Sequence, residues 1–242
     1  MYGEDLAYLH DVGFGDFAKN SGPQLVEILR RFGLTSGLVV DLGCGSGIWA
    51  SFLVENAYDV LGVDISPSMV KLAKKRAPKA TFLCSSFLDM SLPQCSAITS
   101  LGECLSYLFD DKNSISALRR LFIKCHKALQ PNGLLIFDVV TPEVMKRKMP
   151  YKSFWENEKY SILVEYFDDP KKRVSRRGIT TFRKVGDLYR RHYEEHKQLL
   201  FTGSELANCL REVGFKTRIV RSYGSYQLLP GRVALIARKS CT

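Results

Sequence analysis

The chain has 242 residues, of which 45% are hydrophobic and 25% charged, and its formal net charge is +10. That length and mixture suit one domain, or one domain carrying an inserted subdomain, and exclude a disordered or fibrous chain. No apolar run approaches the length of a membrane span and the polar, acidic first residues carry no signal-peptide pattern, so a cytoplasmic protein without a membrane partner is expected. Seven cysteines (44, 84, 95, 104, 125, 209 and 241) are scattered without a C-x-x-C pair, which argues for reduced thiols and against a disulfide framework or a zinc site.

Residues 1–20 place Tyr2, Tyr8, Phe14 and Phe17 among polar residues, with His10 and Asp11 between them. Such a segment reads as a short helix or lid over the main domain. Residues 23–32 read as a helix with Pro23 near its first turn and Leu25, Ile28, Leu29 and Phe32 on one face, closed by Gly33. Next, Leu38-Val39-Val40 reads as a buried strand running into Asp41, after which glycine recurs at 43, 45 and 47. Apolar spacing over 48–56 suits a helix, so the glycine turn opens onto a helix N-terminus, a site for a polar or anionic group. A dinucleotide fingerprint would need glycine at position 48, which holds Ile48.

A second strand, 60–64, ends in Asp64, 23 residues after Asp41. Ser66 and Pro67 then start a helix ending in Lys71, Lys74, Lys75 and Arg76, read as a solvated face near the helix C-terminus. Residues 81–84 and 97–101 read as the third and fourth strands, and 115–129 as an amphipathic helix with His126 on its solvent side. Residues 131–133 turn the chain into a buried fifth strand at 134–139.

Asp41-Leu42-Gly43-Cys44-Gly45-Ser46-Gly47, the strand-end Asp64, and the helix, Leu-x-Pro-x-Gly turn and apolar strand of 115–139 together resemble the class I S-adenosylmethionine-dependent methyltransferases, of the small-molecule kind. The resemblance covers about 36–145 and 202–238. It implies an α/β fold: a doubly wound, seven-stranded, mostly parallel Rossmann-like sheet closed by an antiparallel hairpin. It also implies S-adenosylmethionine as cofactor, held by Asp41, Gly43, Cys44, Gly45 and Gly47 of the turn, Asp64 and Ile65 after the second strand, Ser86 and Phe87 after the third, and Leu101 at the end of the fourth. Ser86 stands where family members carry an acid that accepts from the adenine amino group. The fourth strand's end faces the methyl group in this fold, which makes Glu103 and Tyr107 candidates. Tyr8, an N-terminal tyrosine of the kind that closes the cofactor site, is another.

Residues 146–197 change character, with 15 Lys/Arg against 8 Asp/Glu, a net +7 of the chain's +10. Three extended runs, 160–167, 173–185 and 187–201, are separated by turn signals at 168–172 and 185–187. They read as a small three-stranded antiparallel insertion after the fifth strand. Alternation in the last run puts Arg190, His192, Glu194, His196 and Gln198 on one face and Tyr189, Arg191, Tyr193, Glu195 and Lys197 on the other. Either face is a candidate to line a substrate cavity. No third ligand accompanies His192 and His196, and no metal is expected.

The expected organisation is lid helices and α/β core over 1–145, the insertion covering the substrate site over 146–201, and a helix and hairpin completing the sheet over 202–242. The expected function is transfer of a methyl group to an O or N atom of a small-molecule acceptor, with Glu103, Tyr8 and His196 as candidate catalytic groups, by a monomer or homodimer. Alternatives are an RNA methyltransferase using the basic insertion, which its interspersed glutamates disfavour, and a non-catalytic S-adenosylmethionine-binding protein.

Overall fold

A computed structural model describes residues 1–13, 15–146 and 151–240, so Phe14 and Cys241, both named above, lie outside the described residues. Two helices open the chain, α1 (Glu4–Gly13) and α2 (Asp16–Arg31). The core then alternates: β1 (Gly37–Leu42), α3 (Ile48–Glu55), β2 (Tyr58–Asp64), α4 (Pro67–Arg76), β3 (Thr81–Cys84), β4 (Cys95–Ser100), α5 (Ile115–Ala128) and β5 (Leu129–Val140). A run of antiparallel strands follows, β6 (Tyr151–Asn157), β7 (Tyr160–Asp169), β8 (Val174–Val185) and β9 (Leu188–Leu199). The chain ends in α6 (Gly203–Val213), β10 (Phe215–Val220), the two-residue strands β11 (Ser222–Tyr223) and β12 (Tyr226–Gln227), and β13 (Arg232–Lys239).

Seven strands form the main sheet in the order β10-β13-β5-β4-β1-β2-β3. β1 to β5 are parallel where they pair, and β13 is antiparallel to both β5 and β10. This is the doubly wound sheet expected from the sequence. Its strands are short, β-branched and apolar because helices cover both faces. Leu118, Leu121 and Phe122 of α5 and Leu206 and Leu210 of α6 fill one side; Leu25 and Leu29 of α2, Trp49 and Leu53 of α3 and Val70 of α4 fill the other. Each large side chain buried this way contributes about 1.5–3 kcal/mol. β1 leads to β2 on one side while β4 lies on its other side, so a crevice opens where the chain changes direction, at the carboxyl ends of β1 and β4.

β6-β7-β8-β9 form a separate four-stranded sheet. The sequence reading found three of these strands. It missed β6 because nearly every residue of 151–157 is exposed, so no inward apolar alternation marks it. The inner side of this sheet, Ile162, Val164 and Ile179, packs on Leu6 and Leu9 of α1.

Three further expectations need correction. Pro23 stands inside α2, not in its first turn: Ser21 and Gly22 are buried as part of the helix, and the backbone bond that Pro23 cannot make is lost within it. His126 is half-buried with its ring edge-on to Phe215, 4.9 Å between centroids. Arg76 is exposed with the rest of its face but is not free in solvent, since its guanidinium reaches back to α1 and the glycine turn.

Candidate active site

A cavity of about 610 Å³ lies between the carboxyl ends of β1, β2 and β4 and the inner side of the second sheet, with α1 over it. Its floor is the glycine turn. Gly43, Gly45 and Gly47 all have positive φ, which side-chain-bearing residues rarely adopt. Gly43 N and Cys44 N donate to Val63 O at 2.7 and 3.0 Å, fixing the turn to the end of β2. A Cβ on Gly43 would stand 2.5 Å from Cys104 Sγ, so only glycine fits there. Gly47 points away from the cavity, where its Cα faces α4 and an added Cβ would meet Ala73 Cα at 2.9 Å. Arg76 locks the turn from outside, donating to Ser46 O (2.7 Å), Ser46 Oγ (2.9 Å) and Asp11 Oδ1 (2.6 Å).

Two strand-end acids flank the turn. Asp64 accepts from Gly45 N (2.9 Å) and Ser66 N (2.8 Å), and burial raises its pKa above the usual carboxylate range. Asp41 accepts from Thr99 Oγ1 at 2.7 Å, and Trp49 Nε1 in turn donates to that hydroxyl at 3.1 Å. Burial pushes Asp41 up to about 7, against the pull of the Thr99 hydroxyl and with a push from Asp64. Cys44, Ile65, Phe87 and Leu101 complete the lining on this side.

Ser86 does not line the cavity. Its hydroxyl donates to Asp110 Oδ2 at 2.6 Å and accepts from Leu88 N, so it is committed to joining the loops after β3 and β4. The neighbours Phe87 and Phe109, one from each of those loops, reach the cavity instead.

After β4, Gly102 and Glu103 both adopt positive φ, and their N–H groups donate to Asp138 at 3.0 and 2.8 Å. Successive N–H groups in this conformation make a small anion seat, filled here by a carboxylate of β5. Tyr223 Oη also donates to Asp138, and burial lifts its pKa to about 6. The Glu103 carboxylate is enclosed: Oε2 accepts from Arg177 Nη2 (3.1 Å) and Gln198 Nε2 (2.7 Å), and Arg232 Nε meets Oε1. Burial works to raise the Glu103 pKa, but Arg177 and Arg232 outweigh it and hold the group below its usual value. A carboxylate so placed keeps its charge, with two arginines and Gln198 drawn up to it. Glu103 lines the cavity as a tie, not as a base.

Tyr8 and His196 do not line the cavity. The Tyr8 ring lies under the Arg183 guanidinium, 3.8 Å away. His196 is buried behind Tyr2, Tyr107 and Phe109, whose rings meet it edge-on, and its Nε2 is 3.0 Å from Glu194 Oε2. Burial lowers its pKa despite Glu194. Of the two faces of β9, the one carrying His196 and Gln198 turns inward, yet the wall of the cavity is built by β6, β7 and β8. Tyr107 does line it, accepting from Tyr2 Oη and from Arg177 Nη1 at 3.3 Å. His10 lines it as well, and burial takes its pKa down to about 4, so the ring is neutral at ordinary pH.

Sequence reasoning missed Asp138, Arg177 and Arg232. Asp138 did carry a signal, an acid inside the apolar run Leu134-Leu135-Ile136-Phe137 and Val139. The arginines carried none, because their meaning depends on pairing with Glu103 across 74 and 129 residues of chain.

The chain matches, over residues 39–133, a family described as a methyltransferase domain. A protein of Geobacillus sp. (strain WCH70) that carries only a general methyltransferase name is 26% identical over 219 residues, 88% of each chain. Among solved structures, an S-adenosylmethionine-dependent methyltransferase from Clostridium acetobutylicum ATCC 824 superposes with a TM-score of 0.83 over 98% of both chains at 17% identity. S-adenosylmethionine-bound CalS10, an amino pentose methyltransferase from Micromonospora echinaspora, gives 0.78 over 99% of this chain and 98% of its own, also at 17% identity. At that identity the structures establish the fold, whereas the sequence matches reach the turn and its flanking strands. The glycine turn between its two strand-end acids thus lies within a methyltransferase domain, on a sheet with the fold of S-adenosylmethionine-dependent methyltransferases, and the chain is an enzyme of methyl transfer that uses S-adenosylmethionine.

Proposed function

We propose that the enzyme moves the methyl group to an oxygen or nitrogen of a small-molecule acceptor, within the one cavity that has the glycine turn on one side and the second sheet on the other. That enclosure is the observation that carries the reading: α1 roofs both halves. In this reading the core is formed by residues 1–145 and 202–242, and residues 146–201 cover the acceptor. The basic residues of the insertion support a small acceptor over RNA, because among the described residues most meet carboxylates of this chain. Arg183 and Arg190 pair with Asp5, Arg173 with Glu205, Lys152 with Glu165 and Lys197 with Glu195.

The residues fit the cofactor. Gly45 has nothing within 4 Å of where a Cβ would stand, so the turn backbone is open to a ligand. Asp64 would accept from ribose hydroxyls, Asp41 would offset the cofactor's positive charge, and Phe87 and Ile65 would offer apolar surface for the base. When bound, the cofactor would supply a methyl carbon activated by a cationic sulfur, open to displacement by the lone pair of an acceptor that gives up its proton. The chain's part is alignment and exclusion of water, which make an in-line displacement fast. α1 and the residues before it shut out solvent through Tyr2, Leu6 and His10, and the Ser66 hydroxyl holds this segment by donating to Tyr2 O at 2.6 Å. His10 stands on the cavity wall as a neutral imidazole.

Calorimetric titration with S-adenosylmethionine, on the wild type and on Asp64→Ala, tests the cofactor half. Binding to the wild type that weakens at least tenfold in the variant is expected, and equal binding by both would remove Asp64 from the site. A labelled methyl donor offered with small molecules and with RNA tests the acceptor half, and turnover on RNA alone would overturn it.

A further inference from the structure

The inner face of the second sheet packs on α1 and walls the cavity, whereas its outer face has no covering element among the described residues. Side chains alternate along a strand, so Leu163 points outward between the inward Ile162 and Val164. The strand pairings place Phe154 of β6, Leu163 of β7, Thr180 of β8 and Tyr193 of β9 in one row across all four strands. Phe154, Leu163 and Tyr193 are 58%, 41% and 50% exposed, and Phe167, two rows along on β7, is 45% exposed. Single exposed apolar side chains are ordinary, but a row of them spanning a sheet marks a contact surface.

The charges around this row say what fits it. On one side of the row stand Lys152 of β6 and Glu195 of β9, and on the other side Glu156 of β6 and Arg191 of β9. The four corners therefore alternate in sign. A nucleic acid would face two carboxylates, but a second copy of the same face meets opposite charge at every corner. Turned over about an axis along the strands, the copy brings Glu195 onto Lys152 and Arg191 onto Glu156. Turned over about an axis across them, it brings Glu156 onto Lys152 and Glu195 onto Arg191. Either way the apolar row lies on the apolar row, as in stacked sheets. Lys152 meets Glu165 within the chain, and Glu195 meets Arg176 and Lys197, but such exposed pairs hold weakly and a partner's charge can join them. The remaining cations, Arg176, Lys184 and Lys197, stand two rows from the apolar row, where water and salt screen them. Strands of 7, 10, 12 and 12 residues, at about 3.4 Å per residue and about 4.8 Å between strands, present a flat outline of roughly 670 Å². That is close to the about 800 Å² of accessible surface that each partner gives to a standard interface.

We propose that this outer face docks on the same face of a second copy of the chain, sheet against sheet about a two-fold axis, so that the protein is a dimer. β7 then holds Ile162 and Val164 against the cavity and Leu163 against the partner, and the contact backs the cavity wall. The inference stands apart from which acceptor the cavity takes.

Sedimentation of the whole protein tests this. At about 100 µM protein, well above the ~1 µM or tighter dissociation constant of a standard interface, the mass should be twice the 27.4 kDa of one chain. Leu163→Asp should return it to that of one chain while S-adenosylhomocysteine binds as before, because Leu163 faces away from the cavity. Glu195→Lys should weaken the dimer at least about tenfold by setting like charges together. One of two second reversals, Lys152→Glu or Arg191→Glu, should then restore it, and which one does so identifies the axis. A wild type that keeps the mass of one chain would overturn the proposal and leave the face to a different partner. So would a dimer that neither Leu163→Asp nor Glu195→Lys weakens, or one that neither second reversal restores. The wild-type mass needs no variant, so a misfolded Leu163→Asp protein does not shield the idea.

Discussion

Glu103 Oε2 lies 3.1 Å from Arg177 Nη2, so one buried ion pair joins the turn after β4 to the second sheet. Arg232 of β13 meets the same carboxylate, and three distant parts of the chain converge on it. Glu103→Gln leaves two guanidinium groups facing each other in a place with little water. It should cost about 3 kcal/mol of stability, as losing one member of a buried pair does. Burial opposes the ionised form, yet Arg177 and Arg232 hold the folded pKa below the usual value. The stabilisation is therefore full above the ordinary carboxylate range and is lost as pH falls through the lowered folded value. Urea denaturation of both proteins at pH 7 and pH 4 measures this: the gap should narrow at pH 4. A variant as stable as the wild type but slow in turnover would mean that Glu103 acts in the chemistry.

Asp41 gives the cofactor reading its own pH signature. Burial pushes this carboxyl up to about 7, with the Thr99 hydroxyl opposing and Asp64 adding, so near neutrality the unliganded protein holds it partly protonated. A cation bound beside it favours the ionised form and expels the proton. S-adenosylmethionine affinity should rise several-fold to tenfold from pH 6 to pH 8, with proton release at pH 6.5 that fades by pH 8. Calorimetry in two buffers of different ionisation enthalpy reads this directly. Because the folded state holds the proton longer than the unfolded one, Asp41 also takes stability away as pH rises from about 4 to 7, and Asp41→Asn should melt higher at pH 8.

Gly43 and Cys104 form a matched pair. With φ at +76° and Cys104 Sγ 2.5 Å from the place of a Cβ, Gly43→Ala meets both backbone strain and a clash. The left-handed conformation alone costs about 1–2 kcal/mol. The single variant should lose more than that, and adding Cys104→Ala should return only the part of the clash made by Sγ, since the Cβ at position 104 stands 2.7 Å from the added one. Thermal melts of the two singles and the double check whether the two sites couple.

Arg76 ties α1 to the glycine turn through Asp11 and Ser46. Its side chain is 30% exposed, so Arg76→Ala should cost no more than about 1 kcal/mol globally. The local effect is larger: amides of residues 4–13 should exchange at least tenfold faster while the strands of the main sheet keep their protection. Unchanged exchange in α1 would show that apolar packing alone holds it.

The parts of this fold written in local chemistry were legible. Strands between helices, the Ser66 cap and the glycine turn announce themselves within a few residues, and the turn carries most of the cofactor half with it. Gly47 was legible as a turn glycine but not as one facing α4, because that depends on how close two helices pack. Ser86 was read for its place after β3, whereas its true partner, Asp110, lies 24 residues on. His196 and Tyr8 had the right chemistry in the wrong places, one sealed behind aromatic rings and the other under an arginine. β6 escaped because an exposed strand needs no pattern. Glu103 was found for its position, but its role comes from arginines that only folding brings near.

The helix α1 has a further consequence for timing. Asp5 near its start holds Arg183 and Arg190 of the second sheet, and Asp11 near its end holds Arg76 of the core. In the proposed reading donor and acceptor share the cavity beneath this short helix, so neither product would depart without disturbing what covers the other. Residence time then depends on how long two carboxylates keep their arginines. Since several of those arginines touch solvent, ionic strength is the handle on product release, with added salt shortening the wait.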